Sequence, residues 1–331
     1  MRRLLLTLIG FGLALGLVIS GAAAWWLHQP IAFASPKLDL SIEPGTTPRG
    51  VAQALVEAGA QTRADALFWW FRLSGQSRLI KAGNYEIEPG TTPRQLLGKL
   101  VRGEESLRAL TLVEGWTFRQ VREALAKTEY LRADTQTASD DAVMSLLGKP
   151  GLHPEGRFFP DTYNFAKGAS DLSVLRRAML AMDKKLAAAW SQRAPDVPLQ
   201  TPDQALILAS IVEKETGKAS DQAQIAGVFA NRLRKGMLLQ TDPTVIYGLG
   251  AAFDGNLRKR DLLADTPWNT YTRSGLPPTP IAMPGLQALR AAVRPAVTQA
   301  LYFVARGDGS SQFSATLDEH NRAVNRYQRG R

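Results

Sequence analysis

The stretch TPDQALILASIVEKETG, Thr201 to Gly217, decides how the larger part of this chain folds. It carries both the start and the stop signals of one helix. Thr201 is a favourable N-cap, Pro202 suits the first helical position, and Gln204 stands where a capping box requires it. Gly217 then marks the end. We therefore predict a helix over residues 201–216.

Two glutamates near the end of this helix occupy different faces. At 100° per residue, Glu215 falls in the middle of an apolar sector, whereas Glu213 falls almost opposite. The sector is formed by Ile207, Leu208, Ile211 and Val212. A carboxyl group on an apolar face is costly to ionise unless it is paired, so its pKa rises. A general acid needs such a raised pKa near neutral pH, and Glu215 is therefore the candidate catalytic acid.

The periodicity leaves a structural alternative open for Glu215. A buried ion pair with Arg232 or Arg234 would explain its position about equally well. Glu213 is expected to be solvated and to pair with one of two nearby lysines, Lys214 and Lys218.

Composition limits the classes of protein that remain. The 331 residues are 45% hydrophobic and 21% charged, which is enough for two folded domains. There is no cysteine, so disulfides and thiolate metal sites are ruled out. The three histidines, His28, His153 and His320, lack zinc-type spacing. We expect neither a metal nor another cofactor.

The N-terminus predicts a membrane anchor. Arg2 and Arg3 precede an uncharged apolar run from Leu4 to Leu27, and at ~1.5 Å per residue such a run can cross a ~30 Å hydrocarbon core. The two arginines favour a cytoplasmic N-terminus, which makes the chain a single-pass inner-membrane protein with a periplasmic bulk. The alternative is a cleaved signal peptide, since residues 32–34 read Ala-Phe-Ala, although the run exceeds a normal signal core.

The net charge of +10 implies attraction to an anionic partner. An exported chain seldom meets nucleic acid, and the basic residues are spread throughout instead of lining one groove. Anionic lipid headgroups or an acidic cell-wall polymer therefore fit better than a nucleic acid. A solvated basic surface without a specific partner is the remaining interpretation.

A repeated segment organises the region after the anchor. IEPGTTPRGVAQALVEAG begins at Ile42 and IEPGTTPRQLLGKLVRG begins at Ile87. Each predicts a strand end, a turn and a helix with threonine at the N-cap, and Thr117 with Gln120 offers a looser third copy. Residues 38–87 thus predict the order β-α-α-β. This order resembles the LysM module, a small peptidoglycan-binding fold, and a generic α+β spacer is the alternative.

The domain boundaries follow from this reading. We expect a cytoplasmic tail at 1–3, the transmembrane helix at 4–27, a linker at 28–37, a LysM-like module at 38–105 and a larger mixed α+β catalytic domain at 106–331. In the larger domain the patterns predict a strand at 110–113, helices at 172–189, 201–216, 220–235 and 318–329, and a hairpin formed by 300–306 and 312–316. The run 242–285 is expected to be mostly loop, and long loops in compact domains are usually functional.

Two motifs near this run supply candidate substrate-binding residues. LLQTDPTVIYG contributes Gln240, Thr241, Asp242 and Tyr247, and WNTY contributes Asn269 and Tyr271. Amides and hydroxyls beside an aromatic ring suit N-acetylated sugars. The alternative for Asp242 is an Asp-Pro turn in which its carboxylate bonds its own backbone.

Four ordered motifs carry a family resemblance. GRFFPDTYNF, ILASIVEKET, VFANRLRKGMLLQTDPTVIYG and WNTYTRSGLPPTPIAMPG together resemble the MltG (YceG-like) family of endolytic murein transglycosylases, from about Leu38 to Tyr327. The resemblance implies that a glutamate of the E-K-E-T motif is the catalytic acid and base, and it favours Glu215. It implies cleavage of the MurNAc–GlcNAc β-1,4 bond in nascent glycan strands, a 1,6-anhydro product, and a peptidoglycan synthase as partner.

Three rival functions remain at this point. A muramidase-type hydrolase would use Glu215 as acid and Asp161, Asp242 or Glu155 as its second carboxylate. A non-catalytic cell-wall-binding scaffold would not need Glu215. A membrane-tethered nucleic-acid binder would explain the charge but not the four motifs.

Overall fold

The computed structural model describes residues 2–33 and 35–330, with side chains from Gly10 onward in the first helix. The protein is of the mixed α+β class, as predicted, and it divides into two compact units, one up to Arg108 and one from Ala109 onward. Ala34, the last residue of the alternative cleavage motif, lies outside the described residues.

In the first unit a long helix is followed by short strands and three helices of ten residues. Its elements are α1 (Arg2–Leu27), β1 (Ala32–Phe33), β2 (Leu38–Ile42), α2 (Pro48–Glu57), β3 (Ala60–Gln61), α3 (Ala64–Leu73), β4 (Gly83–Ile87) and α4 (Pro93–Arg102). A 3-10 turn at Ser77–Leu79 precedes β4.

The core of this unit lies between a two-stranded sheet and its helices. Strands β2 and β4 are antiparallel, with Leu38 opposite Ile87 and Ile42 opposite Gly83. In β2 buried and exposed residues alternate, as expected of a sheet with one solvated face. The helices contribute the apolar side chains Val51, Leu55, Leu67, Phe71, Leu96, Leu97 and Leu100 to the same core.

The repeated helix starts form as the sequence predicts. Thr47 accepts a hydrogen bond from the backbone N–H of Gly50 at 3.2 Å. Thr92 and Gln95 form a reciprocal capping box at the start of α4. Each cap satisfies N–H groups that the first helical turn leaves without partners.

Helix α1 is long and apolar enough to cross a membrane by length and composition. The stretch Gly10–Leu27 carries this property, and none of it is buried inside the structure. At its C-terminal end Trp26 packs against the core of the first unit.

The second unit contains the remaining helices and strands. They are β5 (Leu107–Thr111), which begins just before the division, α5 (Phe118–Lys127), α6 (Asp140–Leu146), β6 (Thr162–Ala166), α7 (Asp171–Ser191), α8 (Pro202–Glu215), α9 (Ala219–Arg234), α10 (Asp242–Leu249), α11 (Lys259–Leu263), α12 (Leu286–Val293), β7 (Tyr302–Ala305), β8 (Ser311–Ser314) and α13 (Leu317–Gln328).

Helix α8 is the centre of the second unit. All residues from Ala205 to Val212 are buried, and helices α7, α9 and α12 contact it. A helix that is apolar on every side needs such a surrounding shell. The buried hydroxyl of Ser210 donates to Ile207 O and accepts the N–H of Ile281, so the one polar group at the centre of α8 is satisfied.

Several sequence predictions need correction. The run 242–285 is mostly loop, as predicted, but it also contains α10, α11 and a 3-10 turn at Gly250–Ala252. Asp242-Pro243 starts α10 instead of closing a turn. Gln204 accepts the N–H of Gln200, one residue before the cap, so the expected capping box is not formed. The strand expected at 110–113 lies at Leu107–Thr111, and the sequence analysis had left α6, β6 and α12 unassigned.

Candidate active site

Glu215 is the last residue of α8, where the backbone turns to an extended conformation at Thr216. Its side chain is partly buried, and Oε1 accepts a short hydrogen bond from the hydroxyl of Thr241. Burial, with a smaller contribution from the neighbouring charge of Asp242, raises the pKa of Glu215 to about 7. The Thr241 hydrogen bond and the charge of Arg232 oppose this rise. The carboxyl group can therefore both give and take a proton near neutral pH.

A buried threonine network holds the hydroxyl that contacts Glu215. The N–H of Thr241 donates to Thr270 Oγ1 at 3.1 Å, and Thr244 donates to Thr241 O at 2.7 Å. The hydroxyls of Thr244 and Thr270 lie 2.9 Å apart. A fully satisfied network of this kind fixes the orientation of its members. Thr241 is thus a rigid partner for the carboxyl group.

Gln240 precedes this network in an uncommon backbone conformation. Its φ is +48°, in the left-handed region that non-glycine residues seldom adopt. Its N–H donates to Thr270 O at 3.1 Å, which ties the strained residue to the same network. Its side chain is exposed at the cavity described next. Strain held in place by surrounding bonds is common at functional sites.

Glu215 opens onto a cavity of about 610 Å³. Four of the six expected binding residues line this cavity together with Glu215. They are Gln240, Thr241, Asp242 and Tyr271. The hydroxyl of Tyr271 donates to Asp242 Oδ1 at 2.6 Å, so these two side chains form one polar edge.

The other two expected binding residues lie elsewhere. Asn269 is fully buried and is not among the lining residues; its amide donates to the carbonyls of Asp261, Leu262 and Ala264. Its Oδ1 accepts the N–H of Tyr271 at 2.8 Å. Asn269 therefore shapes the turn that carries Tyr271 and has no group left for a ligand.

Tyr247 lines a second cavity, of about 730 Å³, beside α10. Its ring meets that of Trp268 edge to face at 5.5 Å. The indole N–H of Trp268 donates to Thr279 at 2.9 Å. Glu155 also lines this cavity, so two of the residues that the sequence analysis placed near the reaction lie here instead of beside Glu215.

A match to the YceG-like family extends over residues 40–326. This chain belongs to the YceG-like family. The endolytic murein transglycosylase of Bacillus subtilis (strain 168) is 31% identical over 331 residues, which cover 94% of this chain and 91% of that protein. The endolytic murein transglycosylase of Streptococcus pneumoniae serotype 2 (strain D39 / NCTC 7466) is 28% identical over 319 residues. That match covers 86% of this chain and 57% of the streptococcal protein.

A solved structure agrees with the sequence comparisons. The crystal structure of a YceG-like protein from Listeria monocytogenes superposes on this chain with a TM-score of 0.56 at 28% identity. The superposition covers 86% of this chain and 98% of the Listeria chain. The family membership implied by the four sequence motifs is thus confirmed.

In this YceG-like chain, the arginines proposed as ion-pair partners of Glu215 are engaged elsewhere. The guanidinium of Arg232 donates to the carbonyls of Leu301, Leu238 and Leu239. Arg234 pairs with Asp196 at 3.1 Å. Neither arginine forms a direct ion pair with Glu215, although the charge of Arg232 still lowers the pKa of that carboxyl group.

Glu213 differs from its expected solvated state. It is partly buried, and its Oε2 accepts the N–H of Gly285 at 2.9 Å, just before α12. Burial raises the pKa of Glu213, and the charge of Glu114 adds to this rise. Lys214 donates instead to Gly115 O at 3.2 Å. Because α8 is enclosed on every side, the face opposite Glu215 is packed too.

The sequence analysis missed the far wall of the Glu215 cavity. Strand β7 and helix α13 supply this wall with Tyr302, Phe303, Leu317, His320, Val324 and Gln328. The sequence predicted both elements, but no local signal says that tertiary packing brings them to Glu215. Among residues 2–33 and 35–330, no cluster of histidine, cysteine and acidic side chains could hold a metal ion.

Proposed function

We propose that this YceG-like chain is an endolytic lytic transglycosylase that cleaves the MurNAc–GlcNAc β-1,4 bond of nascent peptidoglycan and so ends glycan elongation. The observation that carries the proposal is Glu215, a partly buried carboxyl group with a pKa of about 7 that opens onto a cavity large enough for sugar rings. The names of the Bacillus and Streptococcus relatives support the same reaction.

The proposed chemistry needs one carboxyl group in two roles. Protonated Glu215 gives its proton to the glycosidic oxygen while the bond from that oxygen to C1 of the muramyl ring breaks. The resulting carboxylate then removes the proton of the C6 hydroxyl, whose oxygen forms a new bond to C1. Glu215 ends protonated, no water is consumed, and the product carries a 1,6-anhydroMurNAc end.

The residues around Glu215 receive supporting roles in this proposal. Thr241 holds the carboxyl group in position and lowers the cost of its charged state. Asp242 keeps the pKa of Glu215 high, and Tyr271 holds Asp242. Gln240 offers an exposed amide to the sugar. Asn269 acts through the Tyr271 turn and is proposed as a positioning residue.

A muramidase-type hydrolase is the second candidate, because Asp242 lines the same cavity as Glu215. In that mechanism Asp242 would serve as the second carboxylate. The other two candidate carboxylates, Glu155 and Asp161, fit this role less well. Glu155 lines the second cavity, and Asp161 accepts the N–H of Thr162 at 2.8 Å.

The test is mass spectrometry of the fragments released from uncrosslinked peptidoglycan by the wild type, Glu215→Gln and Asp242→Asn. Anhydro ends from the wild type and from Asp242→Asn, but not from Glu215→Gln, support the proposal. Reducing ends that disappear in both variants make the protein a hydrolase. Unchanged cleavage by Glu215→Gln removes Glu215 from the reaction. If none of the three proteins cleaves a substrate that a known muramidase cuts, the non-catalytic cell-wall-binding scaffold is the remaining function.

We further propose that α1 crosses the inner membrane with its N-terminus in the cytoplasm, and that residues 106–331 act as a periplasmic catalytic domain. The apolar span Gly10–Leu27 supports this topology. The chain has no cysteine, so a single Asn325→Cys substitution gives a clean reporter. We expect a membrane-impermeant maleimide to label it in cells with a permeabilised outer membrane. Labelling only after the inner membrane is broken would show the opposite topology, with residue 325 in the cytoplasm.

Residues 38–105 are proposed to form a LysM-like module. The β-α-α-β order and the antiparallel pairing of β2 with β4 support this assignment. A spacer of the same fold would not bind glycan. The partner proposed by family analogy is a peptidoglycan synthase in the same membrane, and crosslinking in cells followed by co-purification is the measurement that checks it.

A further inference from the structure

Helix α13 brings a histidine to the cavity of Glu215. His320 lies one turn into this helix and lines the cavity. Its ring stacks on Tyr302, with 5.2 Å between ring centroids and 24° between planes. The ring is thus held in a fixed orientation on the wall formed by β7 and α13.

One ring nitrogen of His320 has no protein partner. Its Nδ1 is buried and, within the part of the chain the structure describes, forms no hydrogen bond. A buried N–H without an acceptor is costly, so the neutral ring places its proton on Nε2. The residue lines the cavity, and Nε2 is the ring nitrogen that we assign to a ligand there.

The surroundings keep this ring neutral. Burial lowers the pKa of His320, and the positive charge of Arg232 lowers it further. The guanidinium of Arg232 lines the same cavity but donates to backbone carbonyls. The wall therefore presents one N–H donor beside a fixed positive charge, a combination that suits an oxygen acceptor.

We propose that His320 is a substrate-binding residue whose Nε2–H donates to an acceptor oxygen on a side group of the glycan. This inference rests on the proposed function for the identity of the ligand. Two side groups offer such an oxygen, namely the carbonyl of an N-acetyl group and the carboxyl-derived group of the lactyl ether. Glu215 acts on the glycosidic bond, while His320 sets which sugar occupies the neighbouring position.

Two substitutions distinguish the contribution of the N–H donor of His320 from that of its aromatic ring. His320→Phe keeps the stack on Tyr302 and removes the N–H, whereas His320→Gln removes the ring and keeps an N–H at the position of Nε2. We expect His320→Phe to weaken binding roughly tenfold and His320→Gln to restore it to within about threefold of the parent. Asn321→Ala, exposed on the same helix and outside the cavity lining, is the matched control.

The experiment measures the Kd for uncrosslinked glycan strands by titration calorimetry in the non-cleaving Glu215→Gln background. A second arm uses de-N-acetylated strands, and a third uses strands freed of stem peptide. If the contact is to the acetyl carbonyl, the penalty of His320→Phe disappears in the second arm. If the contact is to the lactyl group, the penalty persists there and changes in the third.

The outcomes distinguish this inference from the proposed function. Equal Kd values for the parent and His320→Phe overturn the role of His320 while glycan binding itself still supports the function. A loss in His320→Phe that His320→Gln does not restore assigns the residue to packing and also overturns the inference. Absence of glycan binding by the parent overturns both.

Discussion

Glu215 and Glu155 share a raised pKa and differ in how far hydrogen bonds occupy their oxygens. Burial raises the pKa of each to about 7. Both oxygens of Glu155 accept the backbone N–H of Phe118, at 3.0 and 3.2 Å, and the Tyr247 hydroxyl and the Gly156 amide also favour its charged form. Glu215 has one hydroxyl partner, Thr241, and opens onto the cavity. A raised pKa alone therefore does not identify an acid catalyst. The carboxyl group must also have an oxygen that is not occupied by protein hydrogen bonds and can contact the substrate.

The position of Glu155 explains its bonds. Phe118 is the first residue of α5, so a carboxylate there meets the unsatisfied N–H groups of a helix start. Glu155 is 3% exposed and joins the segment around Phe158 and Phe159 to that helix. This is a structural use of a buried acid, whereas the site of Glu215 leaves the acid available to a substrate.

The largest expected effect separates the two glutamates by activity. Glu215→Gln should lower the rate of glycan cleavage by roughly 10³-fold, because general acid catalysis contributes about 10² to 10⁴. Glu155→Gln should retain activity within a few-fold, since it serves the fold. Product formation followed by mass spectrometry under single-turnover conditions measures both. Comparable losses of activity in the two variants would contradict a catalytic role for Glu215 and a purely structural role for Glu155.

The second effect is a pH dependence of stability, to which both glutamates contribute because both have a raised pKa. A carboxyl group with a raised folded pKa contributes its full stability below its unfolded value of 4.5, and this stability is lost as pH rises through about 7. For buried Glu155 the change is about 3 kcal/mol. We expect the free energy of unfolding of the wild type to fall between these pH values.

Urea denaturation at a series of pH values measures this dependence. Glu155→Gln should flatten the profile by that amount, leaving the smaller slope that Glu213 and Glu215 supply. A profile unchanged by Glu155→Gln would show that Glu155 titrates alike in the folded and unfolded states. The Asn321→Ala protein should reproduce the wild-type profile.

A third effect concerns the pH dependence of kcat/KM. Glu215 must be protonated to act as acid, so kcat/KM should fall as pH rises through about 7, the pKa of the free enzyme. Asp242→Asn removes a charge that raises the pKa of Glu215, and this fall should move to lower pH. Thr241→Val removes a hydrogen bond that lowers the pKa, and the fall should move to higher pH. Each unit of movement changes the rate above the pKa by about tenfold.

Opposite movements in these two variants, with Glu155→Gln unchanged, would tie the profile to Glu215. Movement in the same direction in both would mean that another group governs the rate. The profile is read from initial rates of fragment release on one glycan preparation across the pH range.

The smallest effect is expected at Tyr247. Tyr247→Phe removes a hydroxyl that favours the charged form of Glu155, which should cost about 1 kcal/mol of stability. Activity should stay within twofold, because the ring and its contact with Trp268 remain. Thermal unfolding and the cleavage assay measure the two quantities. A tenfold loss of activity would place the second cavity in the reaction after all.

The sequence predicted the position of Glu215 at the end of α8 because the signal for that helix is local. Helix caps and 100° periodicity place its carboxyl group at the end of α8 whatever the rest of the chain does. The same periodicity was wrong about Glu213, since it assumed a solvated face on a helix that proves enclosed. The apolar run from Ala205 to Val212, interrupted only by Ser210, was the sequence signal that this helix is enclosed on both faces.

Residue type predicted which side chains are polar but not where their bonds go. Asn269 looked like a ligand because amides bind sugars, yet backbone carbonyls take both of its donors. Asp242-Pro243 suits a turn and a helix start equally well, which is why α10 was not anticipated. His320 and Tyr302 reach Glu215 only through the packing of α13 and β7, which no local motif encodes.

Helix α10 has a consequence for inhibition. Its first residue, Asp242, lines the Glu215 cavity, and Ile246 and Tyr247 line the second cavity one turn later. The helix is eight residues long, so one short element contributes to the walls of both cavities. A compound bound beside Tyr247 would contact α10 without filling the space proposed for the glycan, and added glycan would therefore not displace it.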